Sequence, residues 1–241
     1  MNYTLSHVTF HASPALAEIV NNGHKKQIQE TYHRLAILTV VLSIVAFWTM
    51  VILNKWFIYL WVGESFSAGQ AVLVLALIIM LQQMMTRTGV LFLNAKGIAR
   101  PVSFVGVAEA VVNLSISIGL GYLMGLPGIL LGTILASIAT TGWFIPRLLR
   151  LHLGISAKQF WIDAFLRPLL WLSVVGAGLY WAITYLYEQQ IVSGWLGFFV
   201  SGIIVGGVLL GVSWFLFLRI ILVEYIPQRF TSNFGVRKSY I

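Results

Sequence analysis

The chain contains no cysteine, which excludes disulfides and any thiolate metal site. Charge is scarce as well. Asp, Glu, Lys and Arg make up 9% of the 241 residues, where a soluble domain carries about 25%. A water-facing surface cannot be built from so few, and the mean hydropathy of +0.90 agrees. Acidic residues are the scarcer sign: 7 against 15 Lys and Arg, a net charge of +8. In a soluble protein that balance would suggest nucleic acid. Here the basic residues sit in short gaps between apolar runs, as in membrane proteins that set their orientation by charge, so no nucleic-acid partner is expected.

Catalytic signatures are missing too. No phosphate-binding loop of the Walker type is present, which excludes built-in ATP hydrolysis of that kind, and no serine nucleophile elbow occurs. Gly119, Gly121 and Gly125 do not have dinucleotide-fingerprint spacing. His7, His11, His24, His33 and His152 all fall outside the apolar runs. His7 and His11 have ligand spacing but no acidic companion of the zinc-protease type, so no metal site is expected. The first 30 residues hold no short apolar region ending in a cleavage site. The first apolar run is therefore expected to act as the anchor.

What is present is apolar length. A spanning helix needs about 20 apolar residues, and six runs qualify: Leu35–Leu53, Ala71–Asn94, Val102–Leu123, Gly128–Pro146, Pro168–Tyr187 and Trp195–Leu222. The runs are continuous rather than alternating, so helices are expected and barrel strands are not. The fold class is all-α: a polytopic membrane bundle of about six helices. Pro101, Pro127, Pro146 and Pro168 fall at run edges, where a missing N–H costs little. The turn near Gly125 and Gly128 is short enough to force an antiparallel hairpin. Phe10–Val20 reads as a helix end, too short to span, followed by a polar stretch. It is expected to lie on the membrane surface or to be the stump of a preceding helix.

Of the 15 basic residues, all but Lys55 and Arg87 fall on one side of the bundle when the runs are threaded back and forth. By the positive-inside rule that side is cytoplasmic, and both termini lie there. Trp56, Phe57, Tyr59, Trp61, Tyr122, Tyr185, Tyr187 and Trp195 gather at the far edge as an interfacial belt.

Arg87 and Glu109 are the charged residues well inside runs, each costing about 2.5–3.5 kcal/mol on insertion scales. Both lie roughly 10–12 Å below the cytoplasmic edge at 1.5 Å per residue. The short connecting loop makes their helices antiparallel neighbours, so an intramembrane ion pair is expected. Gln83 precedes Arg87 by one helical turn, and Asn113 and Ser117 follow Glu109 at the same step. Gln83, Arg87, Glu109 and Asn113 are thus the candidate substrate-binding residues of a polar stripe. The stripe either lines a water-filled cavity, with Arg87 meeting an anionic substrate, or locks two helices together. The pairs Gly121/Gly125, Gly128/Gly132, Gly202/Gly206 and Gly207/Gly211 have the small-xxx-small spacing of close helix packing.

Several stretches occur in a familiar order. They are Pro14 to Glu18 with the following Asn-Asn-Gly-His-Lys-Lys, Trp56 to Gly63, Leu93 to Arg100, Asn113, and Gly125 to Gly132. In this order they resemble the second half of polysaccharide flippases of the multidrug/oligosaccharidyl-lipid/polysaccharide exporter superfamily, over about residues 12–150. The resemblance implies a two-lobed transporter working by alternating access. It would carry undecaprenyl-pyrophosphate-linked oligosaccharide across a bacterial inner membrane for O-antigen and related surface polysaccharides. It implies no cofactor and no enzymatic step; cation gradients drive at least some members. A cationic group suits a pyrophosphate, because Arg meets phosphate oxygens with a planar fork of donors.

On this reading residues 1–34 are a helix stump and polar loop, 35–150 are four helices of the C-terminal lobe, 151–222 are two additional helices, and 223–241 are a basic cytoplasmic tail. The expected partners are membrane lipid, the lipid-linked oligosaccharide, and a missing N-terminal half or polysaccharide assembly proteins. The chain lacks one lobe, so it is expected to be a fragment that does not transport alone. Three other readings stay open: a drug exporter of the same superfamily, a membrane enzyme of polysaccharide assembly, and a small structural subunit or homodimer.

Overall fold

A computed structural model describes residues 13–219, all helix and connecting turn. His7, His11, the start of the expected Phe10–Val20 helix, the end of the sixth run and the basic tail lie outside those residues. The helices are α1 (Ser13–Asn22), α2 (Lys25–Trp61), α3 (Gln70–Ala95), α4 (Ala99–Met124), α5 (Leu126–Ala139), α6 (Thr141–Leu153), α7 (Arg167–Glu188) and α8 (Gly194–Ser213). Six helical spans are long and apolar enough to cross a membrane, with α5 and α6 together forming the fourth. The chain is a multi-pass helical membrane protein.

The apolar runs seed these helices, but the helices outlast the runs. In α2 the run Leu35–Leu53 is extended at both ends to 37 residues, about 55 Å at 1.5 Å per residue. That exceeds the ~30 Å hydrocarbon core, so the polar first turns of α2 project beyond it. This helix is the axis of the bundle and packs on α3, α7 and α8. Its residues Val40, Val41, Ile44 and Ile52 are fully enclosed. One apolar cluster joins α1, α2, α3 and α6 towards the end where α2 begins, with Tyr32 edge-on to Phe92 at 5.2 Å. A second joins α2, α7 and α8 towards the other end, where Trp56 stacks on Tyr187 at 4.1 Å. Lipid tails are as apolar as these side chains, so close packing rather than hydrophobic transfer holds the clusters together.

Two prolines lie inside spans rather than at their edges. Pro146, expected at a run end, sits within α6. Its ring crowds the carbonyl four residues back and offers no N–H. The residue four back is the buried Gly142, and the chain breaks its helical path at Thr140 (φ −113°, ψ −90°). Pro168 opens α7, yet the span runs on through it from a π-helical segment, Gln159–Leu166. Widening to π geometry is a common way to carry a helix past a disturbed hydrogen bond.

The expected hairpin is α4–α5, joined through the single residue Gly125, whose φ of 66° and ψ of −142° suit glycine. Two of the four glycine pairs behave unlike the others. A Cβ on Gly128 would strike the Leu120 carbonyl, and one on Gly132 would lie 2.5 Å from Ser117 Oγ and 2.7 Å from its Cα. Gly206, Gly207 and Gly211 face open space. The glycines thus serve close packing at the hairpin, while Gly206, Gly207 and Gly211 do not face the packed side of α8.

Gly132→Ala is expected to cost about 1–3 kcal/mol of stability, because the obstructing atoms include backbone. Gly206→Ala should stay within about 0.5 kcal/mol. Unfolding midpoints in a mixed-detergent titration compare the two; equal effects would contradict this packing.

Candidate functional site

The stripe residues separate into two groups. Asn113 belongs to the hairpin: its Oδ1 accepts hydrogen bonds from Ser117 Oγ at 2.7 Å and Thr133 Oγ1 at 3.1 Å. The Ile129 carbonyl lies 3.1 Å from each hydroxyl oxygen and shares each hydroxyl's single proton with Asn113. The α4 half of the stripe, with Glu109 one turn before Asn113, is thus at least in part a helix–helix lock. Gln83 and Arg87 are exposed on α3.

The expected Arg87–Glu109 pair does not form. Among the described residues the ion pair within 4.0 Å is Lys26–Glu30. The reason is packing order: α4 packs chiefly on α5, and α5 rather than α4 is the closer companion of α3. Sequence neighbours across a short loop are here separated by the next helix of the chain.

Exposure then distinguishes α3 from the rest of the bundle. Every other span presents large apolar side chains outward, such as Phe104, Val107, Val111, Leu114 and Ile118 on α4. Among the described residues α3 presents none. Within its apolar run, past Ala71 at the start, the exposed positions are Ala76, Gln83, Arg87 and Asn94. Their spacing of seven, four and seven residues places them on one helix face. Arg87 is eight residues from the end of α3, about 12 Å along the axis. A face of small, amide and guanidinium groups at that depth is a poor surface for hydrocarbon. It is a surface for water, for a polar ligand or for another protein chain.

Adjoining that face is a cavity of about 750 Å³ with an almost wholly apolar wall. Val74, Ile78, Leu81, Gln82, Met85 and Thr86 of α3 form one side, and Phe47, Trp48 and Val51 of α2 another. Ser137, Ile138 and Gly142, with Trp161, Phe165, Leu169, Leu170 and Ser173, complete it. Of its lining residues Ile138, Trp161 and Leu170 are exposed, so its apolar wall is continuous with the apolar outer surface of the bundle. Its few polar groups are specific. Trp48 Nε1 donates to Ser173 Oγ at 3.3 Å, across α2 and α7. The Trp48 indole takes the space a Cβ on Gly176 would need. Thr86 Oγ1 folds back on the Gln82 carbonyl. Gln82 Oε1 is buried without a partner.

Gln82 and Thr86 therefore line the cavity, while Gln83 and Arg87, one position further round at about 100° per residue, are exposed beside it. Sequence reading picked out Gln83 and Arg87 and missed Gln82 and Thr86, which repeat the same four-residue step one position earlier. Comparison with known protein families, with curated proteins and with solved structures finds no match.

Two outcomes follow. In a double-mutant cycle, Arg87→Gln and Glu109→Gln should add to within about 0.5 kcal/mol, since groups without a shared contact do not couple; a larger coupling energy in unfolding titrations would restore the ion pair. In membranes, Gln83→Cys should react with a water-borne thiol reagent while Val111→Cys on α4 resists it, because thiolate forms in water and not in lipid. Equal protection of both positions from the reagent would mean the α3 face is dry.

Proposed function

We propose that this chain is one lobe of a membrane transporter that moves a polyprenyl-pyrophosphate-linked oligosaccharide between leaflets. The observation that carries the reading is α3, which presents an exposed face holding Gln83 and Arg87, free of large apolar side chains, and beside it an apolar wall to a cavity. Such a ligand has two chemical halves, and α3 offers a surface to each. The guanidinium of Arg87 suits the pyrophosphate, with paired N–H donors that match phosphate oxygens. The cavity suits hydrocarbon: its apolar wall is continuous with the apolar outer surface of the bundle, so a chain could enter without crossing water. Gln82 and Thr86 stand at the boundary between the halves. The resemblance of residues 12–150 to the second half of polysaccharide flippases points the same way.

The polar face of α3 also argues for a second lobe or chain that closes it into a wet cavity. On this reading Arg87 and Gln83 bind substrate, and Asn113 and Glu109 shape the adjoining hairpin. The protein sits in a bacterial inner membrane with its basic face in the cytoplasm, by the positive-inside rule. A cation gradient rather than a bound cofactor supplies the driving force.

The test is binding, in nanodiscs, of a photoactivatable polyprenyl pyrophosphate against the corresponding neutral polyprenol. The pyrophosphate should be retained more strongly. Arg87→Gln should weaken it by roughly tenfold or more, the loss of a charged hydrogen bond worth about 1.5–3 kcal/mol, with the polyprenol unaffected. Equal capture of both lipids, unaltered by Arg87→Gln, would sink the reading. Leaflet exchange of the pyrophosphate by this chain alone in liposomes would overturn the need for a second lobe.

A further inference from the structure

A second concave site lies at one end of the bundle, far in character from the apolar cavity. It has a volume of about 320 Å³ and gathers basic side chains from three separate places in the sequence. Lys25 begins α2, Lys96 follows α3, and Arg150 and His152 lie in the last turn of α6. All four are exposed, and among the described residues no carboxylate lines the site.

The walls are fixed by contacts that cross between elements. Lys96 Nζ donates to the Val20 carbonyl at 3.2 Å, tying the α3–α4 turn to α1. Asn21 Nδ2 donates to the Ala95 carbonyl at 3.3 Å. Gln29 Nε2 donates to the Gly154 carbonyl at 2.7 Å, tying α2 to the end of α6. Gly154 closes α6 in a left-handed conformation (φ 70°, ψ 16°), and the Lys25 side chain fills the space where a Cβ there would sit. A larger residue at 154 would push Lys25 out of the site.

Helix-end electrostatics account for part of this charge and leave part unexplained. Arg150 and His152 are well placed against the negative end of α6. Lys25 is not: it opens α2, where the helix already presents free N–H groups and partial positive charge. The first turn of α2 carries no acidic residue to offset it. Glu30, one turn further on, is taken by Lys26. A cation set at a positive helix end, facing three other basic groups across a fixed hollow, breaks a local rule without a compensating contact among the described residues. An anion supplies that compensation.

We propose that this hollow binds a phosphate group at the membrane surface, with Lys25, Lys96 and Arg150 as its principal contacts and His152 at the rim. The phosphate is that of an anionic lipid headgroup or of a soluble phosphate. Basic pockets between helices at the cytoplasmic face suit such groups, and Arg150 can present paired donors to one. The site is independent of transport: it needs neither the cavity nor Arg87.

The experiment is lipid binding to the full chain by native mass spectrometry from detergent, comparing phosphatidylglycerol with phosphatidylcholine, with inorganic phosphate tested separately. The wild-type chain should prefer phosphatidylglycerol. Lys25→Gln with Arg150→Gln should weaken that binding roughly 30-fold, from about 1 kcal/mol per basic residue. Lys25→Arg with Arg150→Lys should largely restore it. A charge-matched control, Arg100→Gln with Arg147→Gln, removes two exposed cations outside the hollow and should leave binding intact. If inorganic phosphate binds to the same residues and displaces the lipid, the site takes soluble phosphate; if phosphate fails to displace it, the lipid headgroup is the ligand. Equal losses in the pocket and control variants would mean diffuse surface charge and overturn the proposal, as would no loss in either. Unchanged unfolding midpoints in the pocket variant separate lost binding from lost folding.

Discussion

Peptide groups that cross hydrocarbon must find their hydrogen bonds inside the chain, and almost everything about this fold follows from that demand. It forces every span into helix and carries the helix past obstacles that would end it in water. At Pro146 the fourth span bends near Thr140 and continues as α6. At Pro168 the fifth span loosens to π geometry and continues as α7. Hydroxyls obey the same demand: Ser43, Thr49, Thr86, Thr140 and Ser213 all donate to carbonyls four residues back in their own helices. Such groups can line packed faces at small cost because they bring their own acceptors with them.

Groups that cannot be satisfied in this way are the informative ones. A glutamine or an arginine has too many polar atoms to be absorbed by one helical turn. Asn113 resolves the problem by becoming an acceptor for both helices of the hairpin. Arg87 does not resolve it within the described residues, since it neither pairs with Glu109 nor lies buried. Its helix answers by turning outward a face without large apolar side chains. The absence of large apolar side chains from that face is a stronger pointer to function than Arg87 alone, because one stray charge can snorkel to the interface, while a whole face of a spanning helix cannot.

The number and order of spans were legible because a bilayer requires about 20 apolar residues in a row, and six runs meet that length. Their ends were less so: Leu35–Leu53 marks the hydrocarbon crossing of α2 but not the polar turns that helix propensity adds at either side. Pairing of helices was the hardest to read. A short loop between α3 and α4 implied contact, but Gly128 and Gly132 let α5 press so closely on α4 that the hairpin acts as a unit beside α3. That replaced the expected Arg87–Glu109 bridge with a hydroxyl–amide lock. Identical glycine spacing in α8 leads to no close contact. The spacing permits approach; whether approach happens depends on the partner helix. The cavity was invisible because its wall is made of ordinary Leu, Ile, Phe and Trp, distinguished by what fails to pack on them.

Arg87 on α3 and the basic hollow just beyond the end of that helix are far enough apart to act separately. Lys96 lies nine residues beyond Arg87, about 14 Å along the helix axis. Lys96, Lys25 and Arg150 are exposed at the end of the bundle, where the Debye length is about 8 Å and charges further apart are largely screened. Arg87 is exposed too, but its distance from Lys96 along the helix exceeds that length. An anion held at the surface hollow would therefore act largely independently of the charge at Arg87. The surface cluster gains from adding charges, each contributing a little.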